Sequence, residues 1–373
     1  MSAEPLLSVV MPVHNGVAVL AETLPAVVAS TLPRDRWELI VVDDASSDDS
    51  AGLAARFADR VVELPDRPRG PSYARNRGVE AARGEIVVFI DADVRVHPGA
   101  LAAFAAVLAK HADVSAVFGA YDTAPVGAGF VSQYRNLLHH YVHLQNAGDA
   151  ETFWAGCGAI RRSDFLEAGM FDEWHFGRPQ IEDIELGHRM WHRGRRILLR
   201  PEIQATHLKR WTLWGMIRAD FLDRGLPWMR LLIQRGDALG RGSLNVRRAE
   251  KLKTACVGLG VFFAIFAAVA ANPWWLLASA AAMLPAVLGN LALYRWFARQ
   301  RGVLFAIGVV PLQLLYYGLN GASAFWGFVI HETFGESAPP PAAQAMSELG
   351  LEHWPPAPRR PPNPAGGTGE KPR

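Results

Sequence analysis

Two aspartates, Asp91 and Asp93, close the apolar run Ile86–Ile90. Residues two apart on a strand share one side of it, so the two carboxylates are held together at the end of a rigid element. Paired anionic oxygens suit a hard divalent cation, Mg2+ or Mn2+, of the kind that sits between one or two carboxylates and the phosphates of a substrate. A cation held there could grip a diphosphate and neutralise it as it leaves. The plain alternative is a polar strand end, so the surroundings must decide.

Those surroundings place several polar clusters by one rule. Leu6–Val13 is an apolar run ending in Pro12-Val13-His14-Asn15-Gly16, Glu38–Val42 ends in Asp43-Asp44, and Val61–Leu64 is a short strand. Helical stretches over Leu20–Ser30, Ser50–Ala58 and Ser72–Ala82 alternate with them. A β-α-β-α-β-α-β order predicts an α/β domain with a mostly parallel, Rossmann-like sheet covered by helices on both faces. Ligands of such sheets bind beyond the carboxyl ends of the strands, which is where His14-Asn15, Asp43-Asp44 and Asp91/Asp93 fall.

The 373 residues carry a net charge of +2, which supplies no field for nucleic acid. Two cysteines, Cys157 and Cys256, make no disulfide framework and fit a reducing compartment. The first residues show no basic segment followed by an apolar core, so no secretory signal is expected.

Charge is distributed unevenly, and residues 254–294 and 302–330 carry none. As one helix the first stretch would be roughly 60 Å long at about 1.5 Å per residue, against a bilayer core of about 30 Å. Asn272-Pro273 divides it into spans 254–271 and 274–294, and a third span is expected over 303–330, with Pro311 and Asn320-Gly321 as kinks. A buried soluble helical core fits less well, because soluble helices keep a polar stripe. Arg247, Arg248, Lys251 and Lys253 precede the first span and Arg295, Arg299 and Arg301 follow the second, which puts both clusters and the head in the cytoplasm of a multi-pass inner (plasma) membrane protein. Residues 211–253, with Trp211, Trp214, Ile217, Phe221, Arg224 and Trp228, read as interfacial helices or as amphipathic helices packed on the head. Residues 331–373 read as a Pro-rich disordered tail.

Taken together, the motifs Ser8-Val-Val-Met-Pro12-Val-His14-Asn15, Val41-Val-Asp43-Asp44, Gly70-Pro-Ser-Tyr-Ala74-Arg75-Asn76, Asp91-Ala-Asp93, Gly169-Met-Phe171-Asp172-Glu173 and Glu182-Asp183-Ile-Glu185 resemble those of the family 2 glycosyltransferases of GT-A fold, over about residues 6–215. The resemblance implies a catalytic domain over residues 1–210. It implies that Pro12, His14 and Asn15 line the base and ribose, that Asp44 accepts a hydrogen bond from the base, and that Asn76 or Arg75 reaches the nucleotide or closes the base pocket, with a solvated Arg and a helix-packing Asn as the equal alternative. Asp93 would bind the metal directly, with Asp91 on ribose, on a metal-bound water or on the cation. Asp183 becomes the general base that takes a proton from a sugar hydroxyl, with Glu182 in support; a helix N-terminus is the structural alternative for this pair. His207-Leu-Lys-Arg210-Trp211 admits two readings. His207 completes the metal site, or the segment matches the Q-x-x-R-W motif of processive membrane synthases with His where Gln is expected, a departure that speaks against processivity. Arg210 would contact the diphosphate, and Trp211 would stack on a sugar or anchor at the interface. Trp154-Ala-Gly156-Cys157-Gly158 matches the acceptor-side loop, whose glycines allow close backbone approach. His139, His140 and His143 read as surface or packing residues.

The expected function is a membrane-anchored, inverting glycosyltransferase that uses a UDP- or GDP-linked sugar, a divalent cation, and a lipid-linked or membrane-proximal glycan acceptor. A polyprenyl-phosphate acceptor and a non-catalytic nucleotide-sugar sensor are the alternatives; the intact Glu182-Asp183 disfavours the sensor. A nucleotidyltransferase would want a Gly-rich basic loop after the first strand, which His14-Asn15-Gly16 does not provide.

Overall fold

A run of β-branched residues hidden on both faces becomes a central strand, and three such runs build the first half of the sheet. In the computed structural model, which describes residues 5–234 and 248–335, β1 (Leu7–Val13), α1 (Val17–Val28), β2 (Trp37–Asp43), α2 (Ser50–Ala54), β3 (Arg60–Glu63), α3 (Pro71–Ala81) and β4 (Ile86–Ile90) follow in the expected alternation. Their order is β3-β2-β1-β4, all parallel. The chain leaves β1 toward β2 on one side and returns on the other side as β4, so the order reverses between β1 and β4. That is where a crevice opens at the strand ends.

Beyond β4 the sheet is mixed. The elements are β5 (Val94–Val96), α4 (Ala100–Lys110), β6 (Val114–Tyr121), α5 (Phe130–Gln145), β7 (Gly148–Ala150), β8 (Cys157–Arg161), α6 (Arg162–Glu167), α7 (Glu182–His192) and β9 (Arg196–His207). β8 inserts antiparallel between β4 and β6, β9 runs parallel to β6, and β5 closes the edge antiparallel to β9. Register does the positioning. Ile90 lies opposite Cys157 and Val94 opposite His207, which draws both the 154–157 loop and the end of β9 to the paired aspartates. Each sheet face has its own core: Leu20, Trp37 and Phe104 on one, and Phe89, Phe153, Phe165 and Phe171 on the other.

The chain then passes through α8 (Leu213–Arg218), a π-helical segment Ala219–Gly225 and α9 (Leu226–Gln234). Leu231 and Trp228 pack with Phe176 and Ile181 of the head, while Trp214 stands 74% exposed. After it come α10 (Arg248–Val269), α11 (Trp275–Leu288), α12 (Leu291–Arg301) and α13 (Val303–Phe334).

Among the described residues α10 and α13 are each long and apolar enough to cross a membrane. The expected second span, 274–294, falls on α11 and the start of α12. It breaks at Gly289-Asn290 with a bend of 68°, so α11 and α12 count as one span only if a bent pair can. The reason is visible in the side chains: α12 is amphipathic, burying Leu293, Tyr294 and Phe297 against Tyr134 and Leu137 of α5 and Val309 of α13 while carrying Arg295, Arg299 and Arg301. α13 runs as one helix through Pro311 and Asn320-Gly321 to Phe334, so 331–334 are helical and not tail. Leu259, Phe262, Ile265, Leu276 and Leu277 point outward, as a lipid-facing surface would. Arg247 and the rest of the expected disordered tail lie outside the described residues.

Polar ties fix these helices to one another and to the head. Lys253 donates to Asn290 (2.9 Å), the Tyr317 hydroxyl donates to Glu250 (2.8 Å), and the buried Tyr134 hydroxyl donates to Gln313 (3.0 Å).

Candidate active site

A single cleft of about 1310 Å3 runs over the carboxyl ends of β1, β2 and β4. At one end Pro12, His14, Asn15 and Asp44 line it, as the resemblance implies. The loops here are pinned by short-range hydrogen bonding. His14 Nδ1 bonds the Asp44 carbonyl (2.8 Å), and Asn15, at φ 49°, accepts from the Ser47 amide (2.7 Å) and donates its own amide to Ser46 (2.8 Å). The Asp44 carboxylate accepts from the backbone N–H groups of Arg69 (2.9 and 3.1 Å) and Gly70 (2.7 Å). It thereby holds the loop that leads into α3, leaving part of its acceptor capacity for a ligand. Gly70 has φ 93°, and a Cβ there would lie 2.4 Å from the Gly177 carbonyl oxygen, so only glycine serves.

At the centre Arg75 joins the two acidic motifs. From α3 its guanidinium donates to Asp91 (2.6 Å) and to Glu182 (2.9 Å), and the Arg75 and Glu182 side chains are only 5% and 6% exposed. Burial disfavours the guanidinium's charge, but the carboxylates of Asp91 and Glu182 more than offset that and move its pKa upward. Burial raises the Asp91 carboxyl; Arg75 opposes the shift and Asp93 reinforces it, for a net upward displacement. Asp183, in the first turn of α7, faces the same cleft. One carboxylate oxygen accepts from the Ala155 amide (3.2 Å) and the other from the Ile184 amide (2.8 Å). Burial, followed by the neighbouring Glu182 charge, pushes its pKa up to about 7, near the value that suits a general base at neutral pH.

Asp93 meets the end of β9, where its Oδ2 is 3.4 Å from His207 Nε2. Burial pushes the Asp93 carboxyl up, while His207, together with Lys209 and a backbone N–H, brings it down, for a net downward shift. Hydrogen bonding fixes the imidazole. Asn136 donates its amide NH2 to the Ser132 carbonyl (3.0 Å) and turns its oxygen to His207 Nδ1 (2.6 Å), so Nδ1 carries the proton. The other ring nitrogen, Nε2, faces a carboxylate oxygen, a pairing that a proton or a cation between them satisfies. Tyr121, stacked on the His207 ring at 4.3 Å and 8°, keeps it in place. Among the described residues no three His, Cys, Asp or Glu side chains form a preformed metal cage. Asp93 and His207, with Asp91 alongside, instead fit a cation whose remaining ligands are phosphate oxygens and water.

Opposite the paired aspartates Trp154 lines the cleft, edge-on to Tyr121 at 4.7 Å, and the carbonyl of Gly156 accepts from the Asp91 amide (3.2 Å). Trp211 also lines it, with the Lys209 ammonium 4.3 Å from its ring.

Three expected site residues lie elsewhere. Asn76 is wholly buried, clasping the backbone of Phe171 through both ends of its amide (2.9 and 3.1 Å) and donating to Glu173 (2.8 Å), so it fastens α3 to the 171–173 turn. Arg210 points to solvent, and Lys209 lines the cleft instead. Cys157 is a core residue of β8 whose thiol is pushed up to about 12 by burial.

The three histidines of α5 pack against neighbouring elements and are not at the surface. His140 and His143 bond the Tyr121 and Gly119 carbonyls (2.5 and 3.1 Å), and His139 lines the cleft. Tyr121, Arg135 and Arg224 also line it. Their sequence contexts, a strand end, a helix middle and a linker, carry no motif to reveal them.

Residues 8–169 match the family model described as Glycosyl transferase family 2. A probable glycosyltransferase, YdaM, of Bacillus subtilis strain 168 is 27% identical over 219 residues, covering 53% of this chain and 49% of that protein. Glycosyltransferase AglE of Haloferax volcanii is 33% identical over 100 residues, covering 26% and 33%. The match thus spans about half or less of the length of these relatives. Among solved structures, the mannosyltransferase PcManGT of Pyrobaculum calidifontis, in complex with GDP-Man and Mn2+, superposes with a TM-score of 0.54 at 21% identity, covering 87% of this chain and 88% of that one. The mixed sheet described above is therefore a GT-A fold.

Proposed function

The chain belongs to the family 2 glycosyltransferases, and on that premise we propose that it moves a sugar, with inversion, from a nucleoside-diphosphate donor to a hydroxyl of a lipid-linked or membrane-proximal glycan. The observation that carries the reading is Arg75, which ties Asp91 to Glu182 and so sets the paired aspartates and Asp183 in one cleft.

In this reading Pro12, His14, Asn15 and Asp44 receive the nucleotide. Asp183 takes the proton of the acceptor hydroxyl as that oxygen bonds the anomeric carbon. The carbon–oxygen bond to the diphosphate breaks on the opposite face, and its electron pair leaves with the nucleoside diphosphate. Glu182 holds Arg75, which keeps Asp91 oriented. Asp93 and His207, with Asp91, would hold a divalent cation, which when bound neutralises the diphosphate. The GDP-Man and Mn2+ of the Pyrobaculum structure are consistent with that chemistry. The apolar α10 and α13 and the basic residues at their head-side ends support an anchor in the inner (plasma) membrane, with the head in the cytoplasm where nucleotide sugars are.

The test is a donor screen on the full chain in detergent, following nucleoside-diphosphate release from UDP- and GDP-sugars with Mg2+, Mn2+ or chelator. Cation-dependent release with one nucleotide is expected. Failure to release from any donor would overturn the reading.

A further inference from the structure

The cleft does not end at Asp183. It continues past Arg224 into a gap between α9, α10 and α13, walled there by Met229, Leu232, Thr254, Ala255, Asn320 and Ala324. The order along this arm is fixed by packing. Arg224 lies within the electrostatic reach of Asp183 and Tyr121. Its neighbour Gly225 abuts α13 so closely that a Cβ would lie 2.1 Å from Ser323 Oγ. Moving away from the reaction centre, the arm therefore presents a carboxylate, then a guanidinium, then a channel between two helices able to cross a membrane, in which the apolar Met229, Leu232, Ala255 and Ala324 share the wall with Thr254, Asn320 and Lys251.

Arg224 has no hydrogen bond or ion pair among the described residues, whereas Arg135 beside it is satisfied by Asp220 at 2.5 Å. A guanidinium facing a cavity without a partner is poorly compensated and is well suited to a bidentate oxyanion.

Resting on the transferase reading, we propose that this arm binds the acceptor, and that the acceptor is a sugar joined through phosphate or diphosphate to a long hydrocarbon chain. The phosphate lies on Arg224, the chain between α9, α10 and α13, and the sugar hydroxyl at Asp183. The sequence of groups decides the class, because the anion must stand between the hydroxyl-bearing part and the tail. A fatty acid places its anion at the end, and a neutral glycolipid leaves Arg224 unmet. The phosphate is a handle and not the nucleophile, since a phosphate oxygen attacks without the base that Asp183 supplies.

The experiment uses the full chain in detergent with three acceptors: a polyprenyl-diphosphate sugar, a neutral long-chain glycoside of the same sugar, and polyprenyl phosphate without sugar. The first is expected to be preferred in kcat/KM by about tenfold or more. Arg224→Gln should raise the KM for that acceptor by about tenfold while calorimetry shows unchanged nucleoside-diphosphate binding, and Arg224→Lys should recover part of the loss. Ala324→Trp, which fills the channel, should impair the long-chain acceptor more than a short-chain sugar diphosphate. Equal use of the neutral glycoside, or an equal effect of Arg224→Gln on both glycolipids, would overturn the assignment. So would transfer to the bare polyprenyl phosphate. Absence of cation-dependent nucleoside-diphosphate release with every donor would defeat the transferase reading instead, and this one with it.

Discussion

The two ends of the cleft are built in opposite ways. At the end proposed for the nucleotide, loops that follow consecutive strands hold each other. His14 bonds Asp44, Asn15 bonds Ser46 and Ser47, and Asp44 holds the start of α3, all within the first 70 residues. At the end proposed for the acceptor nothing local suffices. Arg75 reaches Glu182, Arg135 reaches Asp220, Tyr134 reaches Gln313, and Gly225 leans on Ser323. A site made of adjacent βα loops needs only the sheet, whereas a site made of a strand end and helices from the far end of the chain exists only once those helices have docked. The nucleotide end can thus serve any member of a fold class, and the acceptor end is where one chain becomes specific.

If the ends differ in this way, Asp183, at their junction, should separate them most sharply. Asp183→Asn is nearly isosteric and removes the base. Transfer is expected to fall by about 10²-fold to 10⁴-fold, while calorimetric binding of the nucleoside diphosphate stays within error. Undiminished turnover would remove Asp183 from the chemistry, and a parallel loss of nucleotide binding would show that the two ends are one unit.

Arg75→Gln tests the strap itself. It leaves the Glu182 carboxylate buried without its cation, and removing one partner of such a pair costs about 3 kcal/mol or more. We expect a clear drop in melting temperature along with lost transfer. A variant as stable as the parent would mean that Asp91 and Glu182 are held by something other than Arg75.

The same division explains what could be read from the sequence. The parallel half, with its strands, their order and the ligand-bearing ends, was legible because each apolar run is followed directly by the residues it delivers. His14, Asp44, Asp91 and Asp93 are next to the strands that aim them. The antiparallel insertion of β8 was not legible, since a buried strand has the same composition in either direction. Arg210 and Lys209 are neighbours of like charge, and only the path of the chain leaving β9 decides which of them faces the cleft. Asn76 has the residue type of a ligand and the environment of a latch. Arg224 was visible only as one basic residue of an amphipathic stretch, because its role depends on where α13 lies. The break at Gly289-Asn290 is hidden in an uncharged run, and the basic residues of α12 mark it only from beyond its end.

A pH profile sharpens the comparison with a smaller effect. A base whose pKa is pushed up to about 7 is protonated in acid, so kcat/KM should rise about tenfold per unit up to that value and level off above it. Nucleoside-diphosphate affinity, measured at the same pH values, shows which end any loss belongs to. A profile flat from about pH 5 to about pH 8, the span that brackets the ionisation, would mean that Asp183 does not limit the reaction.

The smallest expected effect concerns stability, and its sign is opposite to that of the activity. The folded state raises the Asp183 pKa, so folding favours the protonated carboxyl. The penalty for carrying the charge is absent below the unfolded value of about 4, grows as pH rises toward the folded value, and is constant above it. Asparagine carries no charge at any of these pH values. Asp183→Asn should therefore melt a few degrees higher than the parent in mildly alkaline buffer and together with it in acid, as read by a thermal-shift assay. The group that most limits transfer would then also weaken the fold, as expected where a charge is kept in a desolvated place for its chemistry. A variant that melts lower at alkaline pH would mean that the Ala155 and Ile184 amides stabilise the carboxylate more than burial penalises it.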